Sequence, residues 1–163
     1  MSTDRLSVAF DPPRAGWIGV RLTAPEGEFA ERFSHVYSSL EQVCVAVSDA
    51  GQGLDAPPAV LLLEPAEVEL KLAPCGPDDT ELTVSVFPDT RRGVGRRPTS
   101  ALVHRGRTRQ MVQAFWRALR RLETSLPADA FAREWRSPFP TLEMSALTRL
   151  VESWRVERDG DAH

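Results

Sequence analysis

The chain has 163 residues, 42% of them hydrophobic, and a formal net charge of −3, which fits one folded domain with its own core. Its longest apolar run, 59–63, is far too short to cross a bilayer, and the first ten residues contain no apolar signal segment. These features exclude a membrane-spanning helix and predict a cytoplasmic protein with no membrane association.

Charge is distributed unevenly along the chain. Residues 1–90 hold 5 basic and 15 acidic residues, whereas 91–163 hold 15 basic and 8 acidic ones. Such asymmetry can indicate an acidic or basic binding face. We favour the alternative that the two halves mix in space and neutralise each other, as on most protein surfaces.

Alternation of apolar and polar residues predicts strands, and apolar residues three or four apart predict helices. In chain order the predicted elements are strands at 5–10, 17–23 and 28–33, a helix at 39–50, strands at 59–64, 66–73, 81–87 and 100–105, and helices at 108–126, around 131–135 and at 141–156. A helix from Phe29 competes with the third strand. The capping box Ser38-Ser39-Leu40-Glu41 favours a later helix start.

We expect the rest of the chain to pack around the helix predicted at 108–126. Met111, Phe115 and Leu119 share one face of it, so they should cover a core, and Thr108 is the expected N-cap. Turn-linked strands followed by helices predict an α+β fold. We expect one antiparallel sheet of about six or seven strands with helices on one face, in the order β-β-β-α-β-β-β-β-α-α-α. Residues 1–157 should form one domain and 158–163 a disordered tail.

The acidic half supplies the predicted contact surface for a protein partner. Its candidate residues are Glu26, Glu28, Glu31, Glu67 and Glu69. Glu67 and Glu69 share a strand face with Lys71, and carboxylates so placed could bind Mg²⁺. Alternation of this kind is more typical of the solvated face of a strand, so we predict no metal site there.

A basic segment is the candidate anion-binding region. It contains Arg91, Arg92, Arg96, Arg97, Arg105, Arg107 and Arg109. Guanidinium groups match phosphate oxygens bidentately, which makes phosphate or nucleic-acid binding an alternative function. The segment lacks the spacing of a phosphate-binding loop and has no interleaved aromatic residues, so a solvated loop is favoured and nucleic acid is disfavoured as a partner.

Catalytic signatures are missing from the sequence. His35, His104 and His163 stand outside ligand-spaced motifs, and neither Cys44 nor Cys75 belongs to a C-x-x-C or nucleophile motif. Cys44 should be a buried hydrophobe, and a disulfide to Cys75 is not expected in the cytoplasm. We predict no cofactor and favour a protein that is not an enzyme.

The order of motifs resembles a group of small uncharacterised bacterial proteins. The resemblance spans nearly the whole chain and rests on Glu64-Pro65-Ala66-Glu67 at the head of a strand, then TVSVF, the helix QAFWRALRRL, and WRSPFP before a closing helix. The size and layout are also similar to immunity proteins of bacterial toxin systems. These resemblances imply binding of one protein partner and no catalytic residue.

Three functions therefore stand as hypotheses. The leading one is a non-catalytic protein-binding domain, of immunity type or accessory to another protein. The second is a small-ligand binder or enzyme with a pocket between sheet and helices. The third is nucleic-acid or phosphate binding through the segment 91–109.

Overall fold

A computed structural model describes residues 5–91 and 97–161. Three strands come first, then one helix, four strands and three helices. Their bounds are β1 Ser7–Phe10, β2 Trp17–Ala24, β3 Gly27–Ser34, α1 Ser39–Gly51, β4 Ala59–Leu62, β5 Glu67–Pro74, β6 Asp79–Phe87, β7 Thr99–Arg107, α2 Thr108–Glu123, α3 Ala128–Trp135 and α4 Thr141–Gly160. In the described part of the chain, no helix is long and apolar enough to cross a membrane.

The α+β class and the antiparallel pairing are confirmed, but the single sheet is wrong. The strands form a three-stranded sheet β1-β2-β3 and a separate four-stranded sheet β4-β5-β6-β7. Alternation along a strand shows which face is buried but does not reveal which strand it pairs with. Because β3 contacts both β4 and β7, the two sheets enclose one core.

The third strand is confirmed as the second arm of a hairpin. Ala24 pairs with Gly27 and Leu22 with Phe29 across the β2–β3 turn. Gly27 takes a φ of +154°, which glycine tolerates without steric cost. Phe29 and Phe33 are buried, so the apolar side of this strand faces the core.

The core-facing side of α2 is confirmed, since Met111, Phe115 and Leu119 are all buried. The predicted caps are not formed. Arg107, not Thr108, occupies the N-cap of α2, and the Thr108 hydroxyl lies 2.7 Å from the Thr80 hydroxyl. The Thr108 hydroxyl therefore bonds to Thr80, a residue distant in sequence, and does not cap the helix.

The predicted start of α1 at Ser39 is confirmed, but the capping box from which it was predicted is not formed. Ser38 is the N-cap but makes no side-chain capping hydrogen bond. The buried Ser39 hydroxyl donates instead to the carbonyl oxygen of Val60 at 2.6 Å. This bond ties the start of α1 to β4 across the core.

Helices α1 and α4 pack side by side and run parallel. Cys44 and Val45 of α1 border Leu142, while Gly51, at the end of the same helix, lies against Leu150 and Trp154. A Cβ at Gly51 would stand 2.6 Å from Leu150 Cδ2, so the missing side chain permits this close approach. α4 continues to Gly160, past the boundary at 157 predicted for the folded domain.

Candidate functional site

The most exposed large apolar side chains that lie next to one another are on α1 and α4. Leu142 is 81% exposed and Val45 46% exposed, and both border a groove of about 280 Å³ between the two helices. Val45 also borders a second groove of about 330 Å³, which continues to Pro57 and Pro58 in the loop before β4. We call the surface formed by Val45, Leu142, Ala146, Pro57 and Pro58 the α1–α4 surface.

Helical geometry explains why these apolar residues face outward. The buried stripe of α1 includes Val43 and Val47, and Val45 lies about 200° around the helix from each of them. Leu142 lies about 140° from Leu147, which belongs to the buried stripe of α4. Both residues are therefore turned away from the core by the same packing that buries their neighbours.

Carboxylates surround this apolar surface. Glu41, Asp49 and Glu143 line its grooves, and all three are partly exposed. Burial first, then the carboxylates of Glu143, Glu41 and Glu123, raise the pKa of the Cys44 thiol at the floor of the first groove to about 12. The α1–α4 surface is thus apolar with a negative rim.

The acidic residues predicted as a contact surface are distributed over both sheets. Glu26 accepts a hydrogen bond from Nδ1 of His104 at 2.9 Å, and Glu28 forms an ion pair with Arg21. Glu31 is exposed on β3, whereas the other two lie on β5. Glu67 is only 5% exposed, so it is not on a solvated strand face as predicted, and Glu69 is partly exposed.

Three of the predicted arginines pair with carboxylates of this chain. Arg105 Nε donates to Glu81 Oε2 at 2.7 Å, Arg107 lies 3.7 Å from Asp79, and Arg109 donates to Glu157 at 2.7 Å. Two of these pairs join the acidic and basic halves of the sequence. Arg91 and Arg97 are exposed, and Arg92 and Arg96 lie outside the described residues. The basic segment is therefore not one continuous free patch.

A further depression lies on the open face of the three-stranded sheet. It has a volume of about 580 Å³ and a floor of small residues, among them Ala9, Gly19 and Ala30. Arg21 in this depression pairs with Glu28, and Arg32 lies over the Trp17 ring at 6.0 Å from its centroid. Asp11 and Glu31 also line it, so its charge is mixed, and its described lining includes no strongly exposed large apolar side chain of the kind found on the α1–α4 surface.

Cysteine and metal chemistry find little support in the geometry. Both cysteines are free, with Cys44 buried and Cys75 exposed. A thiol whose pKa is raised to about 12 is a poor nucleophile at neutral pH. Across residues 5–91 and 97–161, no three His, Cys, Asp or Glu side chains are grouped so that they could hold a metal ion.

Comparison with protein-family models, curated proteins and solved structures gives no match for this chain. Function is therefore inferred from its own geometry. Val45 and Leu142 were not predicted as site residues from the sequence, although a signal was present: each is an apolar residue that lies off the buried stripe of its helix.

Proposed function

We propose that this chain is a non-catalytic protein-binding domain whose α1–α4 surface binds a basic amphipathic helix of a partner protein. The observation that carries the proposal is Leu142, an 81% exposed leucine beside a second exposed aliphatic residue, Val45. Contiguous exposed apolar surface with a polar rim marks protein interaction sites more often than ordinary surface.

The shape of the surface fits a helical partner. Two parallel helices leave a groove between them, and the side chains of a third helix can pack into such a groove. The apolar residues of the partner would be spaced three or four apart, so that one face meets Val45, Leu142 and Ala146.

The sign of the rim charge selects the partner. Glu41, Asp49 and Glu143 attract lysine and arginine side chains flanking an apolar helix face. A second copy of this chain would bring the same three carboxylates toward one another, because a two-fold interface joins like surfaces. A basic partner is therefore favoured over self-association.

Two synthetic amphipathic helices with the same leucine face test the proposal, one with lysine and one with glutamate on its polar face. Each is titrated into ¹⁵N-labelled protein, and amide shifts are followed by NMR. We expect saturable shifts at Val45, Leu142 and Ala146 with the lysine peptide only, weakening as salt is added. Equal binding of both peptides, or shifts elsewhere on the molecule, would contradict the proposal.

Two matched variants of α4 test whether the peptide binds this surface specifically or binds any exposed apolar residue. Leu142→Gln removes the exposed leucine, and Val156→Gln removes a 72% exposed valine near the other end of the same helix. We expect the first to weaken lysine-peptide binding and the second to leave it unchanged. Light scattering tests for self-association. If the wild-type protein is a dimer that Leu142→Gln dissociates, the surface binds a second copy of this chain and not a basic partner.

A further inference from the structure

A second site lies where the start of α2 meets β7 and the residues before β1. This recess of about 120 Å³ is surrounded by polar and cationic side chains from three separate segments. Those side chains are Arg5, His104, Arg107, Gln110, Gln113 and Arg117. We call it the arginine pocket, after Arg5, Arg107 and Arg117.

Cationic side chains outnumber the carboxylates around the arginine pocket, where Asp79 pairs with Arg107 and Glu26 lies behind His104. No Asp or Glu is among its lining residues in the described part of the chain, and the nearest ion-pair partner of Arg107 is Asp79 at 3.7 Å. Gln110 lies in the first turn of α2, where the helix dipole is positive, and Gln113 and Arg117 lie on the same face further along the helix. The pocket therefore favours an anion.

His104 is the buried polar group that faces this pocket. Its side chain is 5% exposed, and its Nδ1 lies 2.9 Å from Oε2 of Glu26. A carboxylate can only accept, so Nδ1 donates to Glu26, and Nε2 is the ring nitrogen on the side of the pocket. No hydrogen bond to Nε2 is formed by the described residues, and this atom lies beside Gly106 at the pocket wall.

The pocket is too small for a nucleotide or other large ligand, since such sites usually exceed about 300 Å³. One phosphate or carboxylate group matches it better. A phosphate group presents three or four oxygens, enough to accept from all three guanidinium groups at once, whereas a carboxylate presents only two.

We propose that the arginine pocket binds a phosphate-type oxyanion, either as free phosphate or as the phosphoryl group of a larger ligand. Guanidinium groups of Arg5, Arg107 and Arg117 bind its oxygens, and the Glu26–His104 pair positions the imidazole against it. This site is separate from the α1–α4 surface, so the two proposals stand or fall independently.

NMR titration of the whole chain tests the site. Sodium phosphate, sodium acetate and phenyl phosphate are each added near neutral pH at constant ionic strength, and the His104 ring nitrogens and the Gly106 amide are followed. Phosphate should produce saturable shifts and acetate much weaker ones. Tighter binding of phenyl phosphate would identify a phosphoryl group on a larger ligand as the source, and equal binding would identify the free ion.

Variants assign the effect to the arginines. Arg5→Gln and Arg117→Gln should each weaken phosphate binding about tenfold, the effect of removing one hydrogen bond to a charged group. Arg117→Lys keeps the charge but loses the bidentate fork, so its effect should be intermediate. Arg133→Gln on α3 removes the same charge from an exposed position outside the pocket and should change binding less than about twofold.

Thermal melting of each variant confirms that the fold is retained, which the exposure of Arg5 and Arg117 favours. Absence of a saturable shift with phosphate overturns the proposal. So does equal binding of acetate, or equal weakening by Arg133→Gln and Arg117→Gln.

Discussion

The α1–α4 surface and the arginine pocket differ in the kind of contact that each offers to a ligand. The first is a broad apolar area around Val45 and Leu142, where binding depends on burying carbon atoms under a complementary shape. The second is a recess lined by polar and cationic side chains, in which His104 is oriented by its bond to Glu26. A protein partner suits the former, and a small anion with defined oxygen positions suits the latter.

Charge separates the two regions as well. Ion pairs such as Glu81–Arg105 and Asp79–Arg107 join the acidic and basic halves of the chain, as the interpretation of mixed halves expects. Beyond these pairs, carboxylates border the α1–α4 surface and guanidinium groups line the arginine pocket. Opposite potentials at two places on one small domain would favour partners of opposite charge.

The largest expected effect concerns the thiol beneath the α1–α4 surface. With a pKa raised from 9.0 to about 12, Cys44 should present about a thousandfold less thiolate than an ordinary cysteine at mildly alkaline pH. Iodoacetamide followed by peptide mass spectrometry should therefore label the exposed Cys75 and leave Cys44 unmodified until the protein is unfolded. Equal labelling in the native protein would show that the groove floor is open.

Phe115 tests whether the two regions share one support, because α2 lines the arginine pocket and also packs against α1 and α4. Phe115 is fully buried, so Phe115→Ala should lower the free energy of unfolding by about 3–5 kcal/mol. Urea denaturation measures the change, and Phe115→Leu supplies a milder variant if the first does not fold. A cost below about 1 kcal/mol would contradict the central position of α2 in the core.

Two substitutions with effects of intermediate size test whether the α1–α4 surface and the arginine pocket bind their ligands independently. Leu142→Gln should weaken the lysine peptide and leave phosphate binding intact, and Arg117→Gln should do the reverse, each by about tenfold. Neither should change the free energy of unfolding by more than about 0.5 kcal/mol, since both side chains are exposed. Loss of both ligands in either variant would show that the two regions are coupled.

The smallest expected effect is the pH dependence contributed by Glu26. Partial burial alone would raise its pKa, but the hydrogen bonds from His104 and from its own backbone, with the charge of His104, lower it below 4.5. A lowered folded-state pKa stabilises the protein above pH 4.5, and this contribution is lost as pH falls through the folded pKa. Urea unfolding across acidic pH should therefore show wild type losing its advantage over Glu26→Gln.

The same comparison in a His104→Leu background checks the cause. Leucine at position 104 has neither a hydrogen-bond donor nor a charge, so the pH-dependent difference that Glu26→Gln makes should be smaller in that background. A difference that persists unchanged would assign the lowered pKa to the backbone alone.

Much of the fold follows from periodicity. Met111, Phe115 and Leu119 are buried because their spacing puts them on one helix face, and Leu70 and Leu72 are buried because they alternate along a strand. Local sequence patterns do not show which strands pair with one another, which is why the division into two sheets was not predicted. The caps failed for a related reason, since the hydroxyls of Thr108 and Ser39 bind groups that are distant in sequence.

The candidate sites were harder to predict. Glu26 and Arg107 were singled out for their charge, but the pairing of Glu26 with His104 joins residues 78 positions apart. Arg5 and Arg117 are distant in the chain and meet only in the folded state. Leu142 could have been found from the sequence, because a leucine off the buried stripe of a helix is expected to be exposed.

Gly51 has a consequence for how the sequence can evolve. A methyl group at this position would stand 2.6 Å from Leu150 Cδ2, so alanine or serine at position 51 requires the partly exposed Leu150 side chain to turn aside or to be replaced by a shorter one. Covariation between positions 51 and 150 across many sequences would show which of these two accommodations evolution uses.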